Sequence, residues 1–246
     1  MPSPETPYLD QFANEHTEIP SQIHALHLKG LNRVYRWIGG LTPSRAEESD
    51  LSHVESIFKI DQEIKDNFPM LGAEINLERV KFMHYVHDDG ELIVGDLVRS
   101  IPNYDQVRQG HKQREEEGYY LLVDRYIKDP ALKQEAISAY QEYLGKETPE
   151  SLLANLLDKI QGIRFALQNV FDMNKAQNPE ERAKYLRQAR ASVELIFQFA
   201  TPLRAMLSPK ASGELVTFLQ LEFGRYRTAG YFEIFQAARS RLFGGH

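Results

Sequence analysis

Cysteine is absent from this 246-residue chain, which excludes disulfides, thiolate metal ligands and cysteine nucleophiles together. Any transition-metal site must therefore draw on histidine and carboxylate. Long apolar runs are missing too, and none approaches the roughly eighteen residues that a membrane span requires. Residues 1–20 contain prolines and acids but no basic stretch followed by an apolar one, so no signal peptide is expected and a cytoplasmic location is. Alternating Val/Ile/Thr runs and Asn-Gly hairpin dipeptides are also lacking, which leaves no sign of a sheet.

What is there reads as a folded, helical protein. Apolar residues make up 42% and charged residues 26%, enough of the former for one large domain or a domain with an appendage. The net charge of −6 is unevenly spread. Residues 1–159 hold 17 Lys/Arg against 28 Asp/Glu (−11), and residues 160–246 hold 12 against 7 (+5). The basic residues of the last third are scattered singly, so nucleic acid is not the expected partner. Docking on the acidic part or on a second subunit suits them better, which leaves a homodimer open.

After an irregular segment 1–20, a helix is expected from Ser21 to about Ile38, ending at Gly39-Gly40. A second starts near Asp50 and stops before Pro69, with His53, Ile57, Ile60 and Ile64 on one face. Asn76 suits the N-cap of a helix over Leu77–Asp88, and a short connection between Gly90 and Ile101-Pro102 follows. Further helices are expected over Tyr104–Lys128, after Asp129-Pro130, over Ser151–Met173 behind Thr148-Pro149-Glu150, and from Asn178-Pro179 to about Phe199. One last helical segment is expected from about Gly213 to Leu242. Core packing explains most of the aromatic residues of 175–246 (Phe197, Phe199, Phe218, Phe223, Tyr226, Tyr231, Phe232 and Phe235), with an interaction or dimerisation surface as the alternative.

The segment His87-Asp88-Asp89-Gly90-Glu91-Leu92-Ile93-Val94-Gly95-Asp96 puts an imidazole and four acids within ten residues at the end of an apolar helix. Burying such acids costs several kcal/mol unless a cation or hydrogen bonds compensate. A divalent metal or a solvated acidic loop accounts for it equally well. His53 on an apolar stripe and Asp158 inside the otherwise apolar run Leu152–Ile160 add two polar anomalies on separate helices. Each alone reads as a satisfied core group; together they favour a shared cation. Asp89 is expected to face solvent, and His84 to pack beside the site.

The order His53 … His87-Asp88 … Asp158 resembles the signature of the HD superfamily of metal phosphohydrolases. The flanking residues resemble its branch of YfbR-type 5′-deoxynucleotidases and HD-domain-containing hydrolases, which reads H-D-x-x-E-x-x-x-G-D; His87, Asp88, Glu91, Gly95 and Asp96 stand in register. Asp158-Lys159 and the pair Arg36-Trp37 before the first histidine also fit, whereas Ser52-His53-Val54 replaces the Glu-His-Ser of many relatives. The resemblance covers about residues 21–170. It implies an all-α HD-domain bundle over 21–174 with a C-terminal helical extension over 175–246.

The resemblance further implies one divalent metal ion (Mn, Co, Mg, Zn or Fe) held by His53, His87, Asp88 and Asp158. Only His111 lies between the His-Asp pair and the last aspartate, so a mononuclear site is expected. Glu91 would position or deprotonate the attacking water, Asp96 would orient groups or accept a sugar hydroxyl, and Arg36 would bind phosphate beside Trp37 in the sugar or base pocket. A small phosphorylated substrate, above all a deoxynucleoside 5′-monophosphate, follows. Triphosphohydrolase, second-messenger phosphodiesterase and non-catalytic HD-scaffold readings remain as alternatives.

Overall fold

The structure, a computed structural model, describes residues 49–94, 97, 104–176, 179–228 and 231–243. The expected first helix, Arg36, Trp37 and Asp96 lie outside the described residues. Every element within them is helical, with no strand: α1 (Asp50–Asn67), α2 (Pro69–Glu74), α3 (Leu77–Val86), α4 (Glu91–Val94), α5 (Tyr104–Tyr126), α6 (Pro130–Gly145), α7 (Pro149–Ala176), α8 (Pro179–Met206), α9 (Pro209–Thr228) and α10 (Phe232–Phe243). The fold is all-α. No described helix is long and apolar enough to cross a membrane.

Local chemistry sets the helix starts. Ser49 caps α1, its Oγ accepting from Ser52 N (3.1 Å) and its carbonyl from His53 N (2.9 Å). Asn76 Oδ1 accepts from Arg79 N (3.1 Å) at the start of α3. Thr148 Oγ1 accepts from Ser151 N (3.1 Å) ahead of Pro149 at the first position of α7. Lys146, at φ 57°, is the left-handed residue that closes α6.

Two compact units divide the chain, and the divisions fall inside α1, α3 and α6. The first contains residues up to Val54 together with Tyr85–Tyr140. Its core includes a stacked pair, Tyr119 and Tyr140, with ring centroids 3.9 Å apart at 18°. The Tyr119 hydroxyl is satisfied by the Ala136 carbonyl at 2.8 Å. The second contains Glu55–His84 and Gln141–His246. There the long helices α7 and α8 pack together, burying Leu156, Ile160, Ile163, Val193, Ile196 and Leu203. Phe197 and Phe223 stack at 5.9 Å. Of the aromatic residues in the last third, Phe197, Phe199, Phe218, Phe223 and Tyr226 are buried, Tyr231 and Phe235 half-buried and Phe232 exposed.

The short helices α2 and α4 stand where no helix is expected, and α3 ends at Val86 rather than Asp88; two boundaries in the last third differ as well. The helix expected to end at Phe199 continues to Met206 through Pro202. Proline removes one N–H from the ladder, but Ala200 and Leu203 on either side are buried, so packing holds the helix through it. The last segment, expected as one helix, is two. Tyr231 N donates to the Tyr226 carbonyl (2.8 Å) and α10 then begins.

An ion-pair network ties three helices of the second unit. Arg164 of α7 bonds Glu63 of α1 (3.0 Å) and Glu222 of α9 (2.6 Å), and Arg225 bonds Glu63 (2.6 Å) and Glu222 (3.2 Å). Burial works to raise the Glu63 pKa, but hydrogen bonds from Arg225 and Arg164 and their charges outweigh it and hold it below the usual value. A carboxyl lowered on folding stabilises above its unfolded pKa, and that contribution disappears as pH falls through the folded value. Glu63→Gln is therefore expected to destabilise the fold at pH 7 by about 1 kcal/mol or less for a partly exposed network, read as a lowered Tm. Thermal melts should show the difference shrinking below pH 4.5.

Candidate metal centre

Residues His87 to Gly90 leave helix α3 and form a tight turn before α4. The Asp88 carbonyl accepts from Glu91 N (2.9 Å) and the Gly90 carbonyl from Ile93 N (3.1 Å). Glu91 is thus the first residue of a new short helix rather than a continuation of α3. The turn lies directly on α5. A Cβ at Gly90 would sit 2.3 Å from the Glu115 carbonyl oxygen, and one at Gly118 would sit 2.9 Å from Ile93 Cβ. Backbone of a packed helix cannot yield that distance cheaply. Gly90→Ala is expected to cost about 3 kcal/mol, a Tm loss of roughly 6–12 °C by calorimetry; an unchanged melting curve would show that the turn is not so confined.

The turn brings His87 and Asp88 to His53 of α1. One ligand atom from each of the three lies within 4.8 Å of the others, and all three residues are buried. Asp88 stands between the rings, with Oδ1 3.2 Å from His87 Nε2 and Oδ2 3.7 Å from His53 Nε2. The rings are tilted at 47° with centroids 5.5 Å apart. Donor atoms each about 2.1 Å from one ion lie at most about 4.2 Å apart, so both separations suit neighbouring positions around a single divalent cation. Two imidazoles and a carboxylate are also donors that such ions accept. The residues fit a metal.

A second group shares Asp88. Carboxylate oxygens of Asp50, Asp88 and Glu91 also lie within 4.8 Å of one another, all three buried. Two ionised carboxylates at that separation repel by about 3 kcal/mol even at an effective dielectric of about 20. Positive charge or protons must offset this. Asp50 was not anticipated as a site residue. Its one signal was its position three residues before His53, which α1 converts into a shared face.

Asp89 does not face solvent as expected; it is 1% exposed. The turn that packs Gly90 on α5 carries Asp89 inward. Burial, reinforced by the Asp89 carboxylate, pushes the Tyr85 and Tyr119 phenols far above their usual pKa. Tyr140 is raised in the same way, by burial first and then by Glu115, Glu116 and Asp88. These phenols are neutral groups around an acidic turn. His111 is buried on α5, 3.8 Å from Glu115.

Asp158 belongs to the second unit. It is buried on α7, where its Oδ2 accepts from the Tyr143 hydroxyl (3.1 Å) and pairs with Lys159. His84 is in that unit too. Its Nδ1 meets Asp61 Oδ2 and its Nε2 the Ala154 carbonyl, each at 2.9 Å. Burial disfavours the charged ring, but the Asp61 charge, both hydrogen bonds and the Asp158 charge raise its pKa above the ordinary value.

The family model described as HD domain matches residues 42–196. Among solved structures, the chain is similar to a predicted metal-dependent phosphohydrolase from Magnetospirillum magnetotacticum MS-1, with 20% sequence identity and a TM-score of 0.50 over 79% of this chain and 91% of that one. At that identity the likeness concerns the fold. No curated protein matches the chain.

Proposed function

The chain belongs to the HD domain family, and on that premise we propose that it is a metal-dependent phosphohydrolase. Its proposed substrate is a small phosphorylated metabolite, a deoxynucleoside 5′-monophosphate before others. The observation that carries this reading is the buried convergence of His53, His87 and Asp88 from α1 and the turn after α3. A divalent ion held by these residues would supply Lewis acidity toward a phosphoryl oxygen and would make water more acidic.

The remaining roles belong to the chain's own side chains. Glu91, buried beside Asp88, is the proposed acceptor of the proton lost by the attacking water. Arg36 is the proposed bidentate donor to the phosphate, Trp37 the proposed wall of the sugar or base pocket, and Asp96 the proposed acceptor for a sugar hydroxyl. On its place in the HD signature, Asp158 is the proposed fourth ligand. The solved relative's printed name, predicted metal-dependent phosphohydrolase, agrees with this class.

The test is a metal-by-substrate screen on the purified chain, with released phosphate and nucleoside measured. Phosphate release from deoxynucleoside monophosphates that stops on chelation is the expected result. Release of triphosphate, or opening of a cyclic nucleotide, would replace the substrate class. Stoichiometric metal with no turnover on any phosphorylated compound would leave a binding scaffold instead.

A further inference from the structure

His84 is fully buried, and both ring nitrogens are engaged: Nδ1 with Asp61 Oδ2 and Nε2 with the Ala154 carbonyl oxygen, each at 2.9 Å. A carbonyl has no proton to give, so Nε2 carries one and donates it. Asp61 backs the opposite ring nitrogen, Nδ1, through its Oδ2. The acceptor is not an arbitrary carbonyl. In an α-helix the oxygen of residue 154 also receives the N–H of residue 158, so His84 binds the backbone turn on which Asp158 stands.

From the other side, Asn155 Nδ2 donates to the Tyr143 and Ser151 carbonyls (2.9 Å each), and the Tyr143 hydroxyl donates to Asp158 Oδ2. The turn is held at its backbone by His84 and at its carboxylate by Tyr143, all within the second unit. We propose that His84 is a positioning residue: backed by Asp61, its Nε2–H fixes the α7 turn that presents Asp158. Outer groups that hold metal ligands in place are typically worth about 10–100-fold in metal affinity; His84 acts on Asp158 through the α7 backbone, by its bond to the Ala154 carbonyl. The inference rests on the reading of Asp158 as a ligand.

The test is Mn²⁺ titration calorimetry on the full chain, with circular dichroism as the check on folding. His84→Leu, which removes both bonds, is expected to weaken Mn²⁺ binding by about 10–100-fold. His84→Gln, whose side-chain amide can donate to the Ala154 carbonyl, is expected to recover most of that loss. A folded His84→Leu with wild-type affinity overturns the proposal, as does a His84→Gln no better than His84→Leu. Should His84→Leu not fold, His84→Gln decides by comparison with Asp158→Asn: near-wild-type affinity supports the proposal, and a loss as large as that of Asp158→Asn overturns it. Asp158→Asn also separates the two assignments. Weakened binding there with unchanged binding in His84→Leu removes only the role of His84, whereas unchanged binding in Asp158→Asn removes the ligand itself and both fall.

Discussion

Asp88→Asn is expected to purify without its divalent ion and to release no phosphate from any substrate. Asp88 is the only residue in both clusters of the first unit, within 4.8 Å of the histidine donors on one side and of Asp50 and Glu91 on the other. Its removal takes away a direct donor, so the affinity loss should exceed the roughly 10–100-fold typical of an outer partner. The two states of the protein should then respond in opposite directions. Without metal, three clustered carboxylates repel, and turning one into an amide relieves about 3 kcal/mol per ionised pair at most; the metal-free variant should melt no lower than metal-free wild type. With metal at about 100 times Kd, wild type gains about 2.7 kcal/mol from binding to the folded state alone, and the variant gains none. Scanning calorimetry with and without Mn²⁺, together with elemental analysis, reads both halves. His87→Ala should lose metal as well. A variant of Asp88 that retains one equivalent of ion and full activity would end the metal-centre assignment.

The sequence disclosed this centre unevenly, for reasons that lie in particular residues. His53 was visible because it interrupts the period of Ile57, Ile60 and Ile64, which α1 buries completely or nearly so. The starts at Asn76 and Thr148 were visible because capping is local chemistry. Asp89 and Asp50 were not. Whether an acid beside the His-Asp pair points inward depends on how the turn is folded back, and that depends on Gly90 and Gly118 allowing α5 to approach. Such an approach joins segments more than twenty residues apart and leaves no periodic trace. Asp50 was legible as the first residue of a helix, where an acid suits the helix dipole, and that sufficient local explanation hid its second position beside Asp88. His84 was legible as a neighbour of the site but not as the partner of Asp61 and Ala154, because neither lies near it in sequence.

Glu91→Gln is expected to separate the chemistry from the metal. Glu91 opens α4 with its side chain buried, three residues after Asp88, and the turn between them brings the two carboxylates together. A general base at that position accepts the proton of the attacking water, a contribution typically worth about 10²–10⁴ in rate. An amide of the same shape keeps the packing but has no lone pair basic enough for the task. Steady-state phosphate release should therefore fall by that factor in kcat with KM little changed, since the substrate's contacts remain. Metal content should stay at the wild-type level. Glu91→Ala should behave likewise, with some added loss of stability from the emptied site. Three outcomes are informative. Retained metal with lost turnover places Glu91 in the proton transfer; lost metal makes it a ligand, joined to Asp88 from the oxygen-rich side of the centre; and wild-type activity removes it from the reaction, leaving a buried acid whose place beside Asp50 and Asp88 would then need a cation of its own to be tolerable.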